Sequence, residues 1–370
     1  MKIAQIAPLV ESVPPRLYGG TERIVSYLTE ELVALGHDVT LFSSGDSITT
    51  ANLVPCVPQA LRLEGRVIDP IPYYMLMLDR VRQRADDFDI LHFHIDQFQF
   101  PLFRSIASRT VTTLHGRQDL PDLIPLYVGF DDMPLVSISN DQRKPVSSAN
   151  FAATVYHGLP LGLHRPSFGP GHYLAFLGRM SPEKRPDRAI KIARALGIRL
   201  KIAAKVDRAD EAYFRDQIAP LLEGPGVEFI GEINEYQKTK FLGEAAALLF
   251  PVDWPEPFGL SMIEAMACGT PVLAFRCGSV PEIIDENITG AIVDTMEEAV
   301  AALPRVITLD RRQVRQRFEQ RFSATRMAED YVGVYRSLLK SSKSVGAEAR
   351  DTRHRLGNGN DATILRRPFA

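Results

Sequence analysis

Short apolar runs alternate with amphipathic stretches along almost the whole chain, and no other feature restricts the fold as much. Apolar runs bounded by turn residues read as buried strands, and the amphipathic stretches between them read as helices. Strands joined through helices lie parallel, because the crossover needs that length of chain. In the first half the strands fall at 2–8, 38–43, 89–94, 110–115, 134–139 and 153–157. Between the first two, Ile24, Leu28, Leu32 and Leu35 recur at helical spacing. The second half restarts at 173–178 and continues at 200–205, 227–230, 247–251, 271–275 and 290–294, with helices such as 186–196 and 235–246. The fold class is α/β, built as two Rossmann-like, doubly wound parallel-sheet domains.

At roughly 150 residues per domain, a chain of 370 residues allows about two domains. The stretch Leu161–Gly171 (LGLHRPSFGPG) holds three Gly and two Pro and reads as the linker. The first domain then covers 1–165 and the second 172–322. A helix over 323–340 opens at Ser323, carries Met327, Tyr331, Val334, Tyr335 and Leu338, and is expected to cross back to the first domain. The remainder, 341–370, contains the run GNGN and reads as a disordered tail.

Charge and composition narrow the partners. Forty-three Lys and Arg against 45 Asp and Glu leave a net charge of −2, without the basic excess a nucleic-acid surface needs. No stretch approaches about 18 uninterrupted apolar residues, so no membrane span is expected. The opening MKIAQIAPLVE reads as a strand, and a signal peptide would need a longer apolar run. Cys56, Cys268 and Cys277 have neither disulfide nor metal-ligand spacing, which fits a reducing cytoplasm. The basic run Arg80–Arg84 beside Met75, Leu76 and Leu78 leaves a peripheral membrane contact open, against the plainer reading of a solvated helix face.

The most informative segment is Pro255–Gly269, PEPFGLSMIEAMACG, after the strand ending at Pro251. Glu256 and Glu264 are eight residues apart, and Pro257 places the first in the loop and the second inside the following helix. Between them Phe258, Gly259, Leu260 and Ser261 present backbone amides at a helix N-terminus, a natural phosphate site. One carboxylate on each side of such a site suits a nucleotide-sugar, which has hydroxyls at both ends. A solvated helix with a dipole-complementing Glu is the plain alternative.

Three further features point the same way. Gly178–Arg185, GRMSPEKR, follows the first strand of the second half, and there Arg179 and Lys184 would place two cations over a diphosphate. Tyr18-Gly19-Gly20-Thr21 precedes a helix and would let backbone approach a phosphate or sugar, although a double glycine is often only a turn. It matches neither GxGxxG nor the GxxxxGKS phosphate loop. His92, His94, His115 and His157 lie at strand ends without a carboxylate or Cys at metal-ligand spacing, so no metal is expected there. His115 stands at a C-terminal strand edge, where a polar role at a reacting group is open to it.

Together these residues resemble a nucleotide-sugar glycosyltransferase of the GT-B type, in particular glycosyltransferase family 4. The resemblance runs from Lys2 to about Leu339 and is densest from Gly178 to Gly290. Glu256 and Glu264 match an E-x7-E motif, Gly178, Arg179 and Lys184 match G-R-x-x-x-x-K, and Gly19 and Gly20 match an N-terminal G-G. Gly278-Ser279-Val280-Pro281-Glu282 resembles the family's Gly-to-Glu turn.

The resemblance implies a retaining hexosyltransferase whose two domains face a cleft, with the donor on the second and the acceptor on the first. Glu264 would hold ribose hydroxyls, and Glu256 with the amides of Phe258, Gly259, Leu260 and Ser261 would hold the sugar and diphosphate. Arg179 and Lys184 would neutralise the leaving diphosphate, Gly19 and Gly20 would close over it, and His115 would lie beside the reacting sugar. The donor would be a UDP- or GDP-sugar and the acceptor a saccharide, lipid or small molecule. Fixed cations and helix dipoles imply that no metal or other cofactor is needed. Lys205, where relatives have a Gly-rich strand end, leaves the base preference open. The stretches 96–103 and 116–130 are expected to form acceptor loops. Two other readings stay in view: a nucleotide-sugar epimerase or hydrolase on the same scaffold, and a non-catalytic nucleotide-sugar-binding relative.

Overall fold

The computed structural model describes residues 1–16, 19–65 and 67–357, with side chains to Lys340. Tyr18 of the glycine motif lies outside the described residues. The strands β1 (Lys2–Ile6), β2 (Asp38–Ser44), β3 (Asn52–Val57), β4 (Ile90–Phe93), β5 (Thr110–Thr113), β6 (Leu135–Ser137) and β7 (Phe151–Thr154) form one sheet in the order β3-β2-β1-β4-β5-β6-β7. The strands β8 (Tyr173–Arg179), β9 (Leu200–Lys205), β10 (Val227–Gly231), β11 (Ala245–Phe250), β12 (Val272–Phe275) and β13 (Gly290–Val293) form a second in the order β10-β9-β8-β11-β12-β13.

Every pairing in both sheets is parallel. Each sheet winds outward from its first strand, returns, and winds the other way. The winding direction therefore reverses between β1 and β4 and between β8 and β11, where doubly wound sheets bind their ligands.

The central strands are buried on both faces, which is why β1, β4 and β8 were legible as apolar runs. β3 was not expected. It sits at the sheet edge, is largely half-exposed and contains Pro55, so it lacks the apolar pattern of a central strand.

One apolar core is continuous between the domains. It joins Ile3, Ile24 and Val111 of the first domain to Phe258 and Met262 of the second, and to Phe322, Met327, Tyr331 and Tyr335 near the C-terminus. The linker is fixed to this core by two buried guanidiniums. Arg311 donates to the Ser167, Gly243 and Ala245 carbonyls, and Arg315 to those of Leu161, His164 and Ala267. Such bonds matter because an unpaired buried guanidinium would be costly.

The last helix, Ala324–Gly357, returns to the first domain and buries Tyr331 and Tyr335 there, each contributing about 1.5–3 kcal/mol by removal from water. Its backbone runs into the stretch 341–370 that was expected to be a tail. The backbone stays helical through 341–357, where Ala347 to Leu356 are mostly good helix formers, and it ends at the glycine-containing GNGN run. The rest of that expectation, 358–370, lies outside the described residues. Among the described residues no helix is long and apolar enough to cross a membrane.

Candidate functional site

The two reversal points face each other. From the first domain come the loop ending at Gly19, the helix Gly20–Ala34, and the residues that follow β5, β6 and β7. From the second come the end of β8 with the turn to Lys184, and the loop from β11 into the helix Leu260–Ala267. Between them lies a cleft of about 480 Å³, within the range of small-molecule sites. Gly19, Gly20, His115, Arg179, Lys184, Glu256, Phe258, Gly259, Leu260, Ser261 and Glu264 all line it.

Two helix N-termini meet there. A Cβ added to Gly20 would stand 3.5 Å from Leu260 Cδ1, so the first turns of helices Gly20–Ala34 and Leu260–Ala267 approach across the cleft. Each presents unpaired amides and the positive end of its dipole. Gly259 opens the second helix with φ of 81°, and a Cβ there would stand 2.6 Å from Met262 Cε. Gly278 lies so close to the Glu256 backbone that any side chain would collide, and Ser279 N donates to Glu256 O at 3.0 Å. That contact fixes the loop carrying Glu256.

The cations and carboxylates are already partnered. Lys184 Nζ is paired with Glu256 Oε2, which also accepts from Trp254 Nε1 at 2.8 Å. The Lys184 ammonium lies 5.2 Å from the centre of the Trp254 ring. Arg179 is paired with Glu183 and reaches Asp210 at 3.7 Å. Lys205 lines the cleft and pairs with Asp207 at 2.7 Å. Glu264, 3% exposed, accepts from Lys238 Nζ at 2.7 Å.

Several lining residues had no readable signal. Lys238 comes from the helix Glu235–Gly243, whose sequence reads as an ordinary solvated helix. Arg23 reaches across the domains to Glu235. Burial alone would push the Glu235 carboxyl up, but the His164 hydrogen bond with the Lys238 and Arg23 charges outweighs it and holds the group at about 2. Glu11 and Glu22 line the first-domain wall, and both carboxyls are raised chiefly by burial. The stretch 116–130 contributes Gly116 to the cleft, whereas 96–103 contributes no lining residue. Phe100 and Phe103 are buried in the core, Gln99 Nε2 donates to Thr112 Oγ1 at 2.6 Å, and Phe98 and Leu102 are exposed.

His115 is stacked on His157, with ring centres 5.3 Å apart and planes at 18°. His157 in turn meets the Phe258 ring edge-on at 4.8 Å. Burial brings the His115 imidazole down to about 3, so it is neutral at ordinary pH. His164, Glu235 and Glu264 are the one group among the described residues with metal-ligand spacing. The ammonium of Lys238 and the guanidinium of Arg23 already lie against those carboxylates, so this donor set fits a divalent cation poorly.

Two doubly wound parallel sheets facing a cleft at their reversal points are the GT-B architecture. AviGT4, a glycosyltransferase involved in avilamycin A biosynthesis, is similar at a TM-score of 0.69 and 24% identity, over 92% of this chain and 98% of that one. Anabaena Alr3699/HepE in complex with UDP and glucose gives 0.69 at 17% identity, over 91% and 100%. The family model described as Glycosyltransferase Family 4 matches residues 18–179, and that described as Glycosyl transferases group 1 matches 166–322. The D-inositol 3-phosphate glycosyltransferase of Mycolicibacterium smegmatis is 34% identical over 342 residues, with 75% of each chain covered. The protein of that name from Saccharomonospora viridis is 28% identical over 194 residues, covering 47% of this chain, and the chain spans only 45% of that relative's length. The chain belongs to glycosyltransferase family 4.

Proposed function

We propose that the chain is a metal-independent, retaining hexosyltransferase that moves a sugar from UDP or GDP to a hydroxyl of a saccharide, lipid or small-molecule acceptor. The observation that carries this reading is the meeting of Glu256, Glu264, Arg179 and Lys184 around two converging helix N-termini in one cleft. Glu264 holds the ribose hydroxyls through the oxygen that Lys238 leaves free. The amides of Phe258 to Ser261 bind the diphosphate, with Gly19 and Gly20 closing over it. Arg179 and Lys184 turn from their carboxylate partners to the diphosphate and stabilise the charge that grows on it as the glycosidic bond breaks. Glu256, released by Lys184, accepts from sugar hydroxyls, and His115 lies beside the reacting sugar.

In this reading the acceptor attacks from the face that the diphosphate leaves. The new C–O bond forms as the old one breaks, and the acceptor's proton passes to a phosphate oxygen. The three unpaired cysteines support a cytoplasmic setting. The solved neighbours bound to UDP and UDP-glucose share only the fold with this chain, so both nucleotides remain in the proposal.

The test is thermal-shift binding of UDP, GDP, ADP and their sugars, with and without EDTA. Stabilisation by UDP or GDP that survives the chelator is expected. Loss of that stabilisation in EDTA would overturn metal independence, and stabilisation by no nucleotide would overturn the donor site. Turnover of the donor at the same rate with and without acceptors would favour the hydrolase reading.

A further inference from the structure

His115 ends a file of hydrogen-bonded side chains that runs from the cleft to the last helix. Its Nε2 lies 2.9 Å from His94 Nδ1. His94 Nε2 lies 2.7 Å from Gln5 Oε1 on β1. Gln5 Nε2 donates to the Tyr335 hydroxyl at 3.2 Å, and that hydroxyl lies 2.7 Å from His92 Nδ1. Gln5, His92, His94 and Tyr335 are all buried. Water cannot substitute for a lost partner along this file, so the directions of its bonds are tied to one another.

The protons follow from the partners. Gln5 Oε1 carries no hydrogen, so His94 Nε2 donates to it. A neutral imidazole has one N–H, so His94 Nδ1 is bare and accepts. His115 Nε2 must then donate, which leaves His115 Nδ1 bare. Burial supports this by keeping both rings neutral, lowering His94 well below the usual histidine range and His115 to about 3. Among the described residues no protein group hydrogen-bonds to His115 Nδ1, and His115 lines the cleft.

We propose that Gln5 and His94 are positioning residues that hold His115 as its Nε2–H tautomer, leaving the Nδ1 lone pair to accept a hydrogen bond from a substrate hydroxyl. The group that meets His115 must bring its own hydrogen. A hydroxyl satisfies that condition, whereas a carboxylate or a fully ionised phosphate oxygen does not. That His115 meets the substrate rests on the transferase reading above, but its tautomer does not. A Gln5 amide turned the other way would reverse each bond and give His115 an Nδ1–H.

The experiment is a long-range ¹H–¹⁵N correlation on the full-length chain with labelled histidines at pH 7.5. The His115 signals are identified by their loss in His115→Asn. The wild-type spectrum should show a protonated Nε2 and a bare Nδ1 for His115. His94→Asn, whose amide oxygen stands near the old Nδ1, should keep that pattern. His94→Leu and Gln5→Met should mix the two tautomers. With a nucleotide-sugar donor, His94→Leu should lower kcat by about tenfold, as for loss of one hydrogen bond, with nucleotide affinity within about twofold of wild type. An Nδ1–H or a charged ring on His115 in the wild type would overturn the proposal, as would an unchanged pattern in both His94→Leu and Gln5→Met. The wild-type spectrum needs no turnover, so failure of the transferase reading would be seen separately.

Discussion

Replacing Glu264 by alanine isolates the carboxylate proposed to hold the ribose. Its Oε1 accepts from Lys238 at 2.7 Å, while Oε2 has no hydrogen-bond partner among the described residues and the side chain lines the cleft. A hydroxyl donating to a buried carboxylate contributes about 1.5–3 kcal/mol. At about 1.4 kcal/mol per factor of ten, Glu264→Ala should raise the Kd of UDP or GDP roughly ten- to a hundredfold. Lys238 keeps Glu235 at 3.4 Å as a second partner, so the change reads the lost ligand contact more than a stranded cation. The assay is isothermal titration calorimetry with the nucleoside diphosphate and its 2′,3′-dideoxy analogue, on wild type and variant. Removing the hydroxyls should weaken binding to the wild type and have little further effect in the variant, because the two changes delete one interaction. If the analogue loses as much affinity in Glu264→Ala as in the wild type, Glu264 does not read the ribose.

Lys184→Ala should lower kcat roughly ten- to a hundredfold with a smaller effect on the donor KM, since its charge matters most as the diphosphate leaves. A change in KM alone, measured by steady-state kinetics, would contradict that role. His92, His94, His115 and His157 all have imidazoles lowered by burial, His115 to about 3. Between pH 6.5 and about 3 the unfolded chain binds a proton at His115 that the folded chain does not. Stability should therefore fall with acidification below about pH 6.5, by up to roughly 1.4 kcal/mol per pH unit for each such histidine. Urea unfolding that gives the same stability at pH 7.5 and 5.0 would refute it. Glu282 accepts from Asn140 N at 2.7 Å, Asn140 Nδ2 at 2.9 Å, Asp141 N at 2.7 Å and Tyr156 OH at 2.9 Å, all across the domain boundary. Glu282→Ala should lower Tm by a few degrees, for a loss of about 1–2 kcal/mol, and enlarge the radius of gyration in solution scattering. An unchanged Tm and radius would show that this clasp does not hold the domains together.

What was legible in the sequence is what local chemistry dictates. Gly259, Leu260 and Glu264 could be placed because a strand end, a loop with Pro257 and a helix start are all written within a few residues. Arg179 and Lys184 were readable for the same reason after β8. Arg23 was not, because its partner Glu235 lies in the other domain, and Lys238 was not, because its helix meets Glu264 only through the fold of the second domain. Gln5 and His94 sit inside apolar runs where a polar residue has no meaning until its partner, 89 positions away in sequence, is known. The edge strand β3 was missed because exposure erased its pattern, and the last helix was ended at 340 because Ser341, Ser342, Ser344 and Gly346 break the apolar spacing there.

The electrostatics of the cleft explain why the same few residues can serve both the empty and the loaded site. Arg23, Arg62, Arg179, Lys184, Lys205 and Lys238 are the described cations that line it, and each has a carboxylate partner. A half-buried cleft with bare cations would be destabilised by their mutual repulsion and desolvation. Pairing avoids that cost in the absence of ligand. In the proposed reading a nucleoside diphosphate then binds by exchange, and the exchange is productive on both sides. When Lys184 turns to phosphate, the Glu256 carboxylate it leaves keeps only the Trp254 N–H at 2.8 Å and is free to accept from a sugar hydroxyl. Phosphate and sugar recognition would thereby be coupled through the Lys184–Glu256 ion pair. UDP or GDP alone would release Glu256 without giving it a new partner, so in this reading a nucleotide-sugar binds more tightly than its parent nucleotide, and Glu256→Gln narrows that difference.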